Sequence, residues 1–193
     1  MTVMRDQVVK QLVQVEAKAN EHGLIPAFNV LVNQLPVAFW NTVAERMMAI
    51  APPDRKADME AALVNCAYEC GYHTGYGIVT SPEFESVVTP MVTEGAKDVL
   101  RGAYAVFTAW GWAKSGIVQI KDGETMTVRA VDYYEADAGG EGNRAFMIRG
   151  VSAAFMELAY AEPYPNGMNT FESQQTRGVE TGDQFGEFVV TKK

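Results

Sequence analysis

The sequence predicts an α+β fold: a helical N-terminal half followed by β-β-α-β-β, with an antiparallel sheet packed against helices. Three observations carry this. Up to Gly111 the apolar residues recur at helical spacing. After Gly111 they fall into extended runs. Between the first two of those runs stands Lys121-Asp122-Gly123, whose Asp-Gly favours a tight hairpin. No internal repeat or Pro/Gly/Ser-rich linker divides the 193 residues, a length that one core can organise. The expectation is a single domain over 1–193, with 1–55 as a helical N-terminal extension and 56–193 as the core.

Residues 3–20 place Val8, Leu12, Val15 and Ala19 on one helical face, and His22-Gly23 ends the run with His22 set to cap it. Pro26 and Pro36 bracket a short apolar segment. A second helix is expected from Pro36, whose fixed φ suits a first turn, through Phe39, Trp40, Val43 and Met47 to Ile50. Ala51-Pro52-Pro53 breaks it, and Asp54 is placed to cap a long third helix from about Arg55 to Tyr76. Ser81-Pro82-Glu83 opens a fourth, with Ser81 as cap and Val87, Met91, Gly95, Val99 and Ala103 on one face. Pro90 must bend or break it.

The hairpin strands are expected at 116–120 and 124–134, followed by a glycine-rich solvated loop over 138–143. Helical spacing returns over 144–160, with Phe146, Gly150, Phe155 and Leu158, and Pro163 and Pro165 end it. A second strand pair, 168–180 and 185–191, is joined across Thr181-Gly182-Asp183. Residues 170–177 are polar at nearly every position, so this strand is either a solvated edge or turns one polar face into a wet pocket.

The third helix contains the most unusual stretch, Cys66 to Gly77, with both cysteines and one of the two histidines. Cys66, Cys70 and His73 share one helical stripe, while Ala67, Gly71 and Gly75 form another with almost no side chain. Each interior glycine costs about 0.5–1 kcal/mol against alanine, so the bare stripe calls for close approach of another element or a ligand. For the cysteine stripe three readings stand: metal ligands lacking an evident fourth partner, a thiol activated by an imidazole with Cys70 and His73 catalytic, or buried small hydrophobes beside a structural histidine.

Net charge is −8, from 16 basic and 24 acidic residues, with no basic run. That disfavours nucleic acid and anionic membranes, which clustered Lys and Arg would have to recognise. Residues 1–20 lack the apolar core of a signal peptide, and no stretch approaches the roughly 18 apolar residues of a membrane span. Two cysteines four apart on a helix are badly placed for a mutual disulfide, and reduced thiols in a cytoplasm are expected. Gly139-Gly140-x-Gly142 has no strand-loop-helix setting, and no nucleotide motif is found elsewhere.

Four segments in order carry a resemblance: Cys70-Gly71-Tyr72-His73-Thr74-Gly75, Gly116-Ile117-Val118-Gln119, Arg149-Gly150-Val151-Ser152-Ala153-Ala154-Phe155-Met156, and Gly178 through Phe188. Over roughly residues 60–190 the chain resembles the 4-vinyl reductase family. These are small hydrocarbon-binding domains that also serve as the aromatic-effector sensors of phenol- and xylene-responsive activators. The last segment stands where that family has a Cys-x3-Gly-x3-Cys-x-Phe signature with zinc-ligand cysteines. Here glycines, Gly178 and Gly186, stand at the two positions that usually carry those cysteines, so no zinc and no other cofactor is expected.

The resemblance implies a buried pocket between sheet and helices, and a homodimer. It places Trp112 where aromatic sensors contact the ligand, and Tyr133 or Tyr134 near the second pocket aromatic, with Phe107 and Trp110 just before Trp112. Cys66 and Tyr72 on the third helix, and Glu172 and Gln174 on the polar strand, join these as candidates for binding; Arg177 and Arg149 are further candidates to clamp a carboxylate. An aromatic-walled site with one or two placed donors suits a small aromatic or hydrophobic metabolite. Two functions remain open. One is a free-standing binding protein of this type. The other is a small cofactor-independent lyase, hydrolase or isomerase acting through Cys70 and His73.

Overall fold

A computed structural model describes residues 3–15, 18–33, 35–137 and 145–193. Its elements run α1 (Val3–Leu12), β1 (Ile25–Ala27), β2 (Val30–Val32), α2 (Val37–Ile50), α3 (Lys56–Val79), α4 (Pro82–Val87), α5 (Ala96–Ala109), β3 (Ala113–Lys121), β4 (Thr125–Tyr133), α6 (Met147–Tyr160), β5 (Phe171–Arg177) and β6 (Gly186–Lys192). The expected α+β class and the β-β-α-β-β order are what the chain adopts. The main sheet is antiparallel throughout, with strand order β3-β4-β6-β5.

Alternation along the strands decides which face is covered. Met126, Val128 and Ala130 of β4, Phe188 and Val190 of β6, and Phe171, Ser173 and Gln175 of β5 are buried, whereas Arg129, Glu172 and Gln174 are exposed. One face therefore packs on helices and the other is open. α6 lies across the covered face and is buried along most of its length, as a helix apolar on nearly every side must be. The main core joins Leu100, Tyr104 and Phe107 of α5 to Phe155 and Met156 of α6 and Met126 and Phe188 of the sheet.

The bare stripe on α3 is explained by α6. A Cβ on Gly71 would lie 3.0 Å from Val151 Cα, and one on Gly75 would lie 2.7 Å from Leu158 Cδ1. The two helices thus meet almost backbone to backbone. α5 has a second buried side, where Val8 and Leu12 of α1, Phe28, Phe84 and Val88 surround Ala105 and Val106.

Several local expectations change. α1 ends at Leu12 rather than continuing to residue 20, with Val13 exposed beyond its end, so His22 caps nothing and instead donates its amide to Asn20 in a turn. Residues 25–32 form a hairpin; Phe28 and Asn29 take φ of 49° and 57°, and Phe28 is buried edge-on against Trp110. Asp54 does not cap α3: a 3-10 turn over Pro53–Arg55 precedes the helix, and no side chain caps it. Ser81 does cap α4, accepting from Phe84 N at 3.1 Å. At Pro90 the expected fourth helix breaks into two, α4 and α5, with a 3-10 turn between. The second strand pair is shorter than expected because a 3-10 turn, Val179–Thr181, occupies the space between β5 and β6. The expected loop at 138–143 lies outside the described residues.

Candidate functional site

Where α5 ends and β3 begins, the chain turns through Gly111 with φ of 76° and sets Trp112 beside Phe107, ring centroids 5.1 Å apart. Tyr134, just past β4, meets Trp112 edge-on at 5.4 Å. Phe155 and Tyr104 continue the aromatic wall, 5.3 Å from one another, and the Tyr104 hydroxyl lies 2.8 Å from Ser152 Oγ. Neither Tyr104 nor Phe155 is among the candidate site residues of the sequence; only their positions on the buried faces of α5 and α6 point to them.

The hydroxyl of Tyr134 is the chemically exceptional atom here. It is buried and has no hydrogen-bond partner among the described residues. Burial, then the charge of Glu135, pushes its ionisation well above the ordinary tyrosine range, so it stays a neutral donor and acceptor. α2 leans over this corner, and Asn41 Nδ2 donates to the Tyr134 carbonyl at 3.0 Å.

Both neighbours of Tyr134 are firmly held. The Glu135 carboxylate accepts from the first backbone amides at the α6 N-terminus, Phe146 (2.6 Å), Met147 (2.8 Å) and Ile148 (3.0 Å), where helix dipole and free N–H groups favour an anion. Burial nevertheless pushes Glu135 up to about 7, with those amides opposing and the charge of Glu180 adding to the rise. Tyr133 turns the other way: its ring meets Phe188, and its hydroxyl donates to Glu180. Of the two candidates, Tyr134 shares the aromatic corner with Trp112 and Tyr133 does not. Trp110 is also elsewhere, packed on Phe28.

The cysteine stripe faces outward. Cys66, Cys70 and His73 are exposed, because the opposite side of α3 is taken by the glycine contact with α6. Of the three readings, the one with buried thiols does not hold. Cys70 Sγ lies 3.8 Å from Thr74 Oγ1, while His73 Nδ1 lies 3.0 Å from the Tyr164 hydroxyl, so thiol and imidazole have different partners. Tyr72 is buried and accepts from Gly167 N at 3.1 Å, a structural tie. Among the described residues no three His, Cys, Asp or Glu side chains converge on a metal position.

Glu172 and Gln174 point to the open face of the sheet, away from the helices, and so cannot line a pocket between the layers. β5 is a sheet edge, as one of the two readings required, and its inward polar groups are Ser173 and Gln175. Arg149 pairs with Glu60 of α3, and Arg177 lies over the Phe185 ring at 5.3 Å; neither clamps a vacant site. Glu157 is not legible as a buried acid in the sequence, because its partners are 13 or more residues away. Glu157 accepts from the Tyr68 hydroxyl at 2.8 Å and from the amides of Thr170 and Phe171.

Comparison with known structures agrees with this architecture. The chain is similar to the phenol-responsive sensory domain of the transcription activator PoxR, solved with phenol: TM-score 0.71 at 12% identity, covering 100% of this chain and 91% of that one. It is also similar to subunit 3 of a trafficking protein particle complex from Naegleria fowleri, covalently bound to palmitic acid: TM-score 0.56 at 14% identity, covering 81% of this chain and 92% of that one. No protein-family model matches the chain, and no curated protein matches it. The chain shares the fold of that phenol-responsive domain.

Proposed function

We propose that this chain is a binding domain for a small aromatic or hydrophobic metabolite, held at the corner formed by Phe107, Trp112 and Tyr134. One observation carries the reading: a buried tyrosine hydroxyl without a partner among the described residues, set among aromatic rings. Such an atom costs about 1–3 kcal/mol unless something answers it, and a ligand oxygen would do so. The similarity to a domain solved with phenol supports the same ligand class. The surroundings are apolar and Tyr134 is neutral, which favours an uncharged ligand over a carboxylate or phosphate.

Titration calorimetry with phenol and with toluene tests this. Saturable one-to-one binding of phenol, weakened by Trp112→Ala, is expected. Absence of binding for both, together with a native mass spectrum free of any co-purifying molecule, would overturn the reading.

The reading extends to a homodimer in a reducing compartment. α2 has no buried residue, and it exposes Val37, Phe39, Trp40, Val43, Met47 and Ile50. Six residues of that helix (Ala38, Phe39, Thr42, Val43, Arg46 and Met47) help line a groove of about 620 Å³. Contiguous exposed apolar surface of this kind is a mark of a contact site, and the exposed thiols suit reducing conditions. Light scattering with Trp40→Glu should shift a dimer to monomer; a wild-type monomer at micromolar concentration would remove this part.

A further inference from the structure

The chain resembles proteins that carry zinc cysteines at the positions of Gly178 and Gly186, and the residues around those glycines test whether a metal would fit. They do not leave room. A Cβ on Gly178 would come within 2.9 Å of Glu180 Oε1 and nearer still to the Gln175 amide nitrogen. A Cβ on Gly186 would lie 2.7 Å from Tyr133 Cε1 and 2.9 Å from Cζ. The volume that two cysteine side chains would need is filled by a phenol, a carboxylate and an amide.

These three groups satisfy one another. Tyr133 donates its hydroxyl proton to Glu180 Oε2 and accepts from Val179 N at 3.0 Å. Gln175 Nε2 donates to Glu180 Oε1 at 2.5 Å and to the Arg177 carbonyl at 3.1 Å. The amide of Ala145 donates to both Gln175 Oε1 (2.9 Å) and Glu180 Oε1 (3.1 Å). Tyr133, Gln175 and Glu180 are all buried, and every polar side-chain oxygen and nitrogen of the three is engaged. The donors converge on one carboxylate with their protons, so a cation placed there would face N–H and O–H dipoles from the repulsive end. Structural zinc takes about four sulfur, imidazole or carboxylate ligands. Here the Glu180 carboxylate is taken, the nearby Asp183 accepts from Gly178 N at 3.0 Å, and among the described residues no three His, Cys, Asp or Glu side chains converge on a metal position.

We infer that Tyr133, Gln175 and Glu180 form a metal-free clasp that does the mechanical work of a structural metal. It ties four places in the chain together: the end of β4, Ala145 just ahead of α6, β5, and the 3-10 turn before β6. Glycine at 178 and 186 is then a requirement of the clasp and not merely a loss of ligands, since any side chain at either position would displace a member.

The test uses the full chain produced in zinc-supplemented medium. Elemental analysis should find only trace zinc, and EDTA should leave the thermal midpoint unchanged. Tyr133→Phe and Glu180→Gln should each lower the midpoint by roughly 3–8 °C, and the double variant should fall well short of the sum, because both remove the same bond. Gly178→Cys should lower the midpoint without recruiting zinc. One equivalent of zinc in the wild type, with an EDTA-dependent drop in midpoint, would overturn the inference, as would additive effects of Tyr133→Phe and Glu180→Gln. If Glu180→Gln does not fold, the zinc and EDTA measurements on the wild type decide alone.

Discussion

Gly150 of α6 and Tyr68 of α3 touch backbone to backbone: a Cβ on Gly150 would sit 2.5 Å from the Tyr68 amide nitrogen and 2.7 Å from the Ala67 Cβ. In an isolated helix Gly→Ala gains about 1 kcal/mol. Here the added methyl has backbone on one side and cannot be accommodated by a rotamer change. Gly150→Ala should therefore destabilise the fold by about 3 kcal/mol, lowering the thermal midpoint by roughly 6–12 °C in a melting experiment. A variant as stable as the wild type would mean that α3 and α6 are farther apart.

That contact was legible in the sequence as a stripe, since Ala67, Gly71 and Gly75 recur at helical spacing. Ser81 was legible as a cap and Asp122-Gly123 as a hairpin because each signal is local. The direction of the cysteine stripe was not, because a helix with two small-residue faces does not say which one finds a partner. Nor was the β1–β2 hairpin, whose two-residue turn uses Phe28 and Asn29 where Asn-Gly is the usual signal. Glu135 was hidden for another reason: it finds its amides 11–13 residues away, at a helix start that only the folded chain brings near.

The outward stripe gives a direct check. Cys66 and Cys70 are both exposed and free, so a chromogenic disulfide reagent should titrate two thiols per chain without denaturant. Two slow thiols that react only in urea would restore the buried reading, or indicate that a second chain covers α3.

Asp98 should govern acid stability at the start of α5. Burial by itself would raise its ionisation, but the amides of Glu94 and Thr93, the Arg101 guanidinium and the Thr93 hydroxyl outweigh that and hold it well below the ordinary value of 3.8. A carboxyl depressed in the fold stabilises above its unfolded pKa and loses that contribution as the pH falls. Asp98→Asn should cost about 2 kcal/mol in urea unfolding at pH 7, and the gap to wild type should narrow below about pH 4. A gap independent of pH would exclude the charge as its source.

Glu135 works in the opposite sense. Its carboxyl is raised from 4.5 to about 7 by burial, with the α6 amides opposing and Glu180 adding its charge. The folded chain therefore holds a proton that the unfolded chain releases between those values. Stability from this group is full below about pH 4.5 and is lost as the pH rises through 7, by up to about 3 kcal/mol. Unfolding measured from pH 5 to 8 should show this decline, and Glu135→Gln should flatten it. The side-chain carbon of Glu135 should titrate near neutrality by NMR; a midpoint near 4 would show that the three amides outweigh burial.

Tyr134→Phe separates binding from folding, because its two effects have opposite signs. Among the described residues the buried Tyr134 hydroxyl has no partner, so deleting it removes an unpaid desolvation cost and should stabilise the fold by about 1 kcal/mol. A site kept for ligand rather than for stability is expected to behave this way. Phenol should then bind about 10-fold more weakly, the loss of one hydrogen bond, while toluene, which has no oxygen to offer, should bind as before. A loss of stability in Tyr134→Phe would mean that the hydroxyl already has a partner within the fold. Equal weakening of phenol and toluene would mean that the ring, and not the hydroxyl, meets the ligand.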